Sequence, residues 1–432
     1  MIRHVRTRAV ATAFSAAALA LIAAPLAVLA QGAAAESPQL GEGVPQPGAR
    51  PVAIPNAPPR AVKTSVPWSV RFARSVMTRN PQNHRRWDYT AGVVLGAIEK
   101  VGQTTRDTAM LSYVLRSMTR FVKPDGAIDG YSREEYNIDA VSQGRVLFAL
   151  AARTADPRYR AAAGILRDQL VSHPRTPEGG YWHKKIYPQQ MWLDGLYMGQ
   201  PFNAQYAGTF APASARAAIY DDVAKQFLLV ARHTRDPRTG LMYHAWDAAK
   251  AQPWADSTTG LSRQFWARAM GWYVMGVVET LDYLPVSHPD RDAIIRTLQD
   301  AAEGIARVQD PLTGLWWDIL DAPNREGNYL EASASSMFAY ALAKGARLGY
   351  LAPRFRTIAT RGFDGIVTNL VREAPYGVSL VNVCQVSGLG GSLRKDGSYR
   401  DGTYAYYISE PVVSDDYKGV GPLILAAHEL GR

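Results

Sequence analysis

Residues 181–202 read Tyr-Trp-His-Lys-Lys-Ile-Tyr-Pro-Gln-Gln-Met-Trp-Leu-Asp-Gly-Leu-Tyr-Met-Gly-Gln-Pro-Phe. Rings, cations and a single carboxylate are crowded into one stretch. Pro188 predicts a helix start, because its fixed φ suits the first turn and its missing N–H costs nothing there. Asp194 then sits one to two turns into that helix, among Met191, Trp192, Leu193, Leu196 and Met198. A carboxylate in apolar company is costly to ionise, so its pKa should rise. A carboxylic acid that keeps its proton near neutral pH is what acid catalysis requires. The plainer reading is an exposed helix aspartate, or one paired with Lys184.

The elements that would position Asp194 recur along the chain. Residues 66–79, 106–121, 157–171, 213–233, 289–308 and 353–371 have helical period with a charged stripe. Each is followed by a helical segment richer in small and apolar residues: 87–101, 139–154, 188–205, 262–284, 330–348 and 417–430. A helix that is apolar nearly all round is buried, and one with a charged stripe faces water. Gly92, Gly96, Gly144, Gly195, Gly271 and Gly276 let the buried members approach closely. The loops repeat too: Asp236-Pro-Arg-Thr-Gly and Asp310-Pro-Leu-Thr-Gly both stand between an outer and an inner helix. Six outer–inner pairs predict an all-α (α/α)6 barrel, a six-hairpin toroid with short β segments in its loops. Residues 376–409, rich in Gly and Tyr, break the pattern and read as short strands or a long loop at the mouth.

In such a barrel all six inner helices enter from one end. Their N-termini converge on one rim, each carrying roughly half a positive charge, which favours an anionic ligand. Asp139 opens the second inner helix, Asp194 lies near the start of the third, and Trp266, Arg268 and Trp272 fall in the first turns of the fourth. His183, Lys184 and His244 are in the loops that feed them. Each has a plain alternative: Asp139 as a helix cap, the tryptophans as core, His244 as a hydrogen-bonded loop residue. Arg268, however, lies four residues before Trp272 on the same face, and a buried arginine needs an anion. Its planar fork suits a carboxylate, and the rings beside it suit a sugar. No histidine spacing matches a metal motif, and neither a phosphate-binding glycine loop nor a Gly-x-Ser-x-Gly elbow is present. No cofactor is expected.

The ends and the bulk composition narrow the class. Arg3, Arg6 and Arg8 precede an apolar run from Ala9 to Ala30 with small residues after it, so residues 1–35 read as a secretory signal peptide. Residues 36–63 are proline-rich and read as an extended linker, leaving 64–432 as the barrel. The formal charge is +10. Removing the three leader arginines leaves about +7, which suits an acidic polymer or its fragments. The lone Cys384 has no internal partner and lies in an apolar run, as a buried structural residue would.

In combination and order, these fragments resemble glycoside hydrolase family 105, the unsaturated rhamnogalacturonyl hydrolases. The resemblance spans roughly residues 87–430. It rests on Asn137-Ile138-Asp139, on His183-Lys184 followed by the run from Met191 to Met198, on His244, on Phe265-Trp-Ala-Arg-Ala-Met-Gly-Trp272, and on Lys418-Gly-Val-Gly-Pro422. It implies an (α/α)6 barrel that cleaves oligosaccharides ending in a 4,5-unsaturated uronic acid. Asp194 matches the family's acid/base and Asp139 its second carboxylate. His183, Lys184, Trp192, His244, Trp266, Arg268 and Trp272 match residues that hold the unsaturated sugar, with Tyr89 a weaker match from the first inner helix. No metal is implied. The partner is an unsaturated oligouronide, rather than a nucleic acid or, once the leader is cleaved, a membrane; the expected location is periplasmic or secreted.

Such a substrate contains an enol ether, with C4=C5 beside the ring oxygen. One aspartate can protonate C4 and then activate the water that adds at C5, unlike the two carboxylates that flank the anomeric carbon in ordinary glycosidases. Asp139 is expected to raise the pKa of Asp194 by like-charge repulsion and to orient water or a ring hydroxyl. Arg268, His183 or Lys184 would hold the substrate carboxylate. The rivals are an unsaturated glucuronyl hydrolase, another (α/α)6 enzyme such as an epimerase, and a sugar-binding protein on the same scaffold. An epimerase needs histidines facing across the pocket, which the inner helices do not supply.

Overall fold

Helices alternate along the chain between half-wet and dry. In the computed structural model, residues 49–82, 86–393 and 397–432 are described; the expected leader, 1–35, lies outside them. The outer members are α1 (Trp68–Arg79), α3 (Thr108–Thr119), α6 (Pro157–Ser172), α8 (Ala213–Thr234), α10 (Arg291–Arg307) and α12 (Arg354–Asn369). The inner members are α2 (Tyr89–Thr105), α4 with α5 (Asp139–Ser142 and Arg145–Thr154), α7 (Leu193–Thr209), α9 (Ala267–Thr280), α11 (Ala332–Arg347) and α14 (Tyr417–Leu430). Every residue of α9 is buried, whereas α10 buries only one face. This is the contrast that fully apolar and amphipathic patterns dictate. The inner helices pack in the order α2, α4/α5, α7, α9, α11, α14 and back to α2, so the ring closes. The chain is an all-α (α/α)6 toroid.

Capping side chains fix where several helices begin. Asp88 accepts from the Thr90 amide at 2.7 Å, Glu331 from Ala334 at 2.6 Å and Asp416 from Lys418 at 2.9 Å, opening α2, α11 and α14. The repeated loops are side-chain-tied turns. Asp310 Oδ1 accepts from the Thr313 amide and hydroxyl, each at 2.7 Å, and the backbone then turns through Gly314 at φ 74°. A Cβ on Gly314 would stand 2.8 Å from the Arg361 carbonyl, so only glycine fits. Asp256 makes the same turn with Thr259, a third copy.

Short strands line the mouth. β1 (Gln190–Trp192) pairs antiparallel with β2 (Ala245–Asp247), Trp192 opposite Ala245. Residues 371–413 supply β3 (Val371–Ala374), β4 (Gly377–Leu380), β5 (Val383–Cys384), the short helix α13 (Tyr404–Ser409) and β6 (Val412–Val413). The proline-rich segment from Ala49 is extended. Asn382 accepts from the Val52 amide and Asn369 from the Ala57 amide, both at 2.8 Å, tying it to the barrel.

Two local expectations are corrected. Pro188 does not open α7; it lies in a turn before β1, and the helix begins at Leu193. Asp194 therefore sits in the first turn, nearer the positive end of the helix than one to two turns in. The second inner helix is interrupted at Gln143 and Gly144, between α4 and α5. There α2 comes closest: a Cβ on Gly92 would lie 2.5 Å from the Gln143 Cα. Gly92→Ala should therefore lower stability by about 1–2 kcal/mol, because backbone overlap outweighs the ~1 kcal/mol that alanine gains in a helix. Urea unfolding reads this directly, and an unchanged or raised midpoint would show that the close approach is not required.

Candidate active site

The inner-helix starts deliver the polar residues to one place. Tyr89 is the first residue of α2 and Asp139 the first of α4. Asp139 does not cap its own helix. Asn137 Oδ1 takes the Asp139 amide at 3.1 Å, and the Asp139 carboxylate turns to Lys184 Nζ at 3.0 Å and His183 Nε2 at 3.5 Å. Lys184 thus pairs with Asp139, not Asp194. Trp192 ends β1 and precedes α7; its ring stacks on His183 at 4.4 Å and on Tyr187 at 4.8 Å, with its Nε1 donating to Gln190. The β1–β2 pairing then sets His244 beside Asp194, because the Leu193 amide donates to the His244 carbonyl at 3.0 Å.

Asp194 faces inward, its side chain 14% exposed, with His244 Nε2 at 3.2 Å from Oδ2. The two atoms meet off the line of a good hydrogen bond, so the contact is electrostatic first. On its other side His244 Nδ1 lies 2.7 Å from the Tyr407 hydroxyl of α13. Trp266, just before α9, packs on His244 at 4.8 Å, and Arg268 lies over the Trp266 ring at 4.8 Å. Arg268 Nη1 donates to the Cys384 carbonyl and faces Ser333 Oγ at 3.4 Å, while Nη2 has no hydrogen-bond partner among the described residues. Trp272 lies one layer deeper, against Tyr197 at 4.7 Å and Tyr89 at 6.3 Å. Every residue expected at the rim is therefore in this cluster, with Trp272 as its floor.

The charge state of Asp194 overturns an expectation. Burial pushes its carboxyl up, as the apolar run implies, but the His244 charge and contact, with His183 next, outweigh burial and hold it below the usual carboxylate range. Burial in turn lowers His183 to about 4, against the pull of Asp139. His183 is therefore neutral at neutral pH, and among the groups that lower Asp194 the contact with His244 leads. Asp139 is not among the leading influences on Asp194, and Lys184 stands against its carboxylate at 3.0 Å. The expected like-charge repulsion does not decide the charge state of Asp194, which is lowered rather than raised. Burial pushes the Cys384 thiol up to about 12, so it is no nucleophile at neutral pH.

Comparison with known proteins adds to this geometry. Residues 68–432 match the sequence profile of Glycosyl Hydrolase Family 88. The chain belongs to that family. A solved family 105 glycoside hydrolase from C. acetobutylicum ATCC 824 is 43% identical, with a TM-score of 0.80 over 85% of this chain and 99% of that one. This places the chain in the family 105 branch of the unsaturated glycosyl hydrolases. Protein Atu3128 of Agrobacterium fabrum is 40% identical over 54% of this chain and 97% of its own length. The unsaturated rhamnogalacturonyl hydrolase YesR of Bacillus subtilis is 29% identical over 63% of this chain and 75% of its own.

Some groups in this family 88 site were not expected from sequence. Tyr407 lies in a Tyr-rich stretch where no single ring stands out. Asp318 accepts from Trp266 Nε1 at 3.0 Å, and Asp416 pairs with Lys418 at 2.8 Å, both side chains 1% exposed. Only Asp416 carried a signal, as the residue two before the Lys418-Gly-Val-Gly-Pro422 run at an inner-helix start.

Proposed function

We propose that this family 105 hydrolase releases the terminal 4,5-unsaturated uronic acid from pectin-derived, rhamnogalacturonan-type oligosaccharides. The observation that carries the reading is the accessible Asp194 held against His244, beside an arginine with a donor to spare. Asp194 gives a proton to C4, leaving an oxocarbenium ion at C5. Once ionised, it draws a proton from the water that adds at C5. The hemiketal opens to a ketone, and the freed ring oxygen lets C1 expel the aglycone. The proton is drawn from the Asp194–His244 pair, and an anionic ring in the pocket raises the carboxylate's hold on it. Arg268 takes the ring carboxylate through Nη2, since Lys184 is engaged with Asp139 and His183 is neutral. Asp139, steadied by Lys184, orients water or a ring hydroxyl.

Likeness to YesR supports the rhamnogalacturonan assignment, and the residue 1–35 leader supports export to the periplasm or the medium. The test is loss of the enol-ether ultraviolet absorbance with unsaturated galacturonyl-rhamnose, run beside unsaturated glucuronides and saturated galacturonides. Fastest turnover of the galacturonyl-rhamnose is expected. Preference for the glucuronides would move the substrate class, and turnover of saturated sugars alone would overturn the chemistry.

A further inference from the structure

Trp266 and Arg268 share a neighbour with an unused oxygen. Asp318 is completely buried in the extended segment between α10 and α11. Its amide donates to the Tyr329 carbonyl and its carbonyl accepts from the Ala267 amide, both at 2.9 Å, so its backbone is clamped at the start of α9. Oδ1 accepts from Trp266 Nε1 at 3.0 Å. Oδ2 and Arg268 Nη2 both lack a hydrogen-bond partner among the described residues. A buried anion here would strand an acceptor, whereas a neutral acid turns Oδ2 into a donor.

The groups that act on this carboxyl come from every side. Arg268 is on α9, Glu331 caps α11, Glu410 follows α13, and Tyr407, Tyr329 and Cys384 feel its charge. Glu331 is spent on four contacts, to the Ser333 hydroxyl (twice) and to the Ala334 and Cys384 amides.

Resting on the proposed uronate chemistry, we infer that Asp318 is a positioning residue that gates the charge of Arg268. As a neutral acid it fixes the Trp266 indole and adds no third carboxylate beside the guanidinium, which already feels Glu331 and Asp416; as an anion it offsets that charge further and weakens binding. Burial first, then Glu331, pushes the carboxyl up to about 8, against Arg268 and the Trp266 hydrogen bond. The gate is therefore open at neutral pH and closes as pH rises through that value.

Asp318→Asn keeps the acceptor for Trp266 but cannot ionise. With unsaturated galacturonyl-rhamnose, wild-type KM should rise about tenfold between about pH 7 and pH 9, with kcat moving less. The Asn variant should show no such rise. A purely structural residue would change stability or kcat without flattening this profile. An equal rise in both proteins, or none in the wild type, overturns the inference. Infrared titration of the unliganded wild type gives a second reading that needs neither turnover nor a variant. A protonated-carboxyl band should vanish over the same pH range, and its absence at neutral pH overturns the inference. Should the wild type process no unsaturated uronide while the band titrates as expected, the substrate assignment fails and the buried acid stands.

Discussion

Asp194→Asn should slow turnover of an unsaturated oligouronide about a thousandfold, the scale of removing a general acid that also serves as base. The amide has nearly the shape of the carboxylate but can neither deliver a proton to C4 nor take one from water. The fold should survive, because Asp194 does not cap α7 with its side chain and its backbone is held in the helix. The structure changes the reason for the effect. Asp194 is not a carboxyl kept neutral by apolar neighbours; His244 at 3.2 Å holds it low. The proton must come through that contact when the anionic sugar arrives, so the acid limb of kcat/KM should lie below the usual carboxylate range and belong to Asp194. Circular dichroism and the unfolding midpoint confirm a folded variant, and ultraviolet absorbance follows the reaction. Near-wild-type turnover by a folded Asp194→Asn protein would remove Asp194 from the mechanism.

What the sequence revealed follows from which interactions are local. Periodicity is local, so the alternation of α9, dry on all sides, with the half-wet α10 was legible, and with it the barrel. The rim was legible for the same reason: Asp139, Asp194 and Arg268 each stand at the start of an inner helix. Less legible was anything set by a partner distant in sequence. The apolar neighbours of Asp194 along the chain argued for a raised pKa, but the group that decides it is His244, brought in by β1–β2 pairing. Asp139 looked like a cap because a carboxylate at a helix start usually is one. Only the fold shows Lys184 and His183 waiting for it. Asp318 gave no sign at all, because its role depends on Trp266, 52 residues away.

Glu279 is the sharpest case of a partner hidden from the sequence, and removing its charge should cost the most stability. It lies near the end of α9, in a helix read as apolar. Its carboxylate bonds Arg145 of α5 and the Tyr340 hydroxyl of α11, with Lys344 Nζ at 3.4 Å; Lys344 also reaches Asp282 at 2.6 Å. Arg145 continues to the Tyr197 hydroxyl at 3.1 Å, and Tyr197 lies against Trp272, so the network supports the floor of the site. Burial pushes Glu279 up, but Lys344, then Arg145 and Lys100, outweigh it and leave the carboxyl well below its ordinary range. Glu279→Ala strands Arg145 and half of Lys344's compensation, and breaking a buried pair in this way costs about 3–5 kcal/mol. Glu279→Gln keeps the shape and loses only the charge, so it isolates the pH dependence. A depressed carboxyl contributes stability that is present above its unfolded pKa and lost as pH falls through its folded one. The gap between wild type and Glu279→Gln should therefore be widest at neutral pH and narrow below about pH 4. Asp282, pushed up by burial despite Lys344 and with Glu279 adding to the rise, works with the opposite sign and is unaltered in either variant's sequence. Urea midpoints across pH measure the gap. A constant gap would mean that Glu279 acts through packing alone, and no gap would mean that Arg145 and Lys344 are satisfied without it.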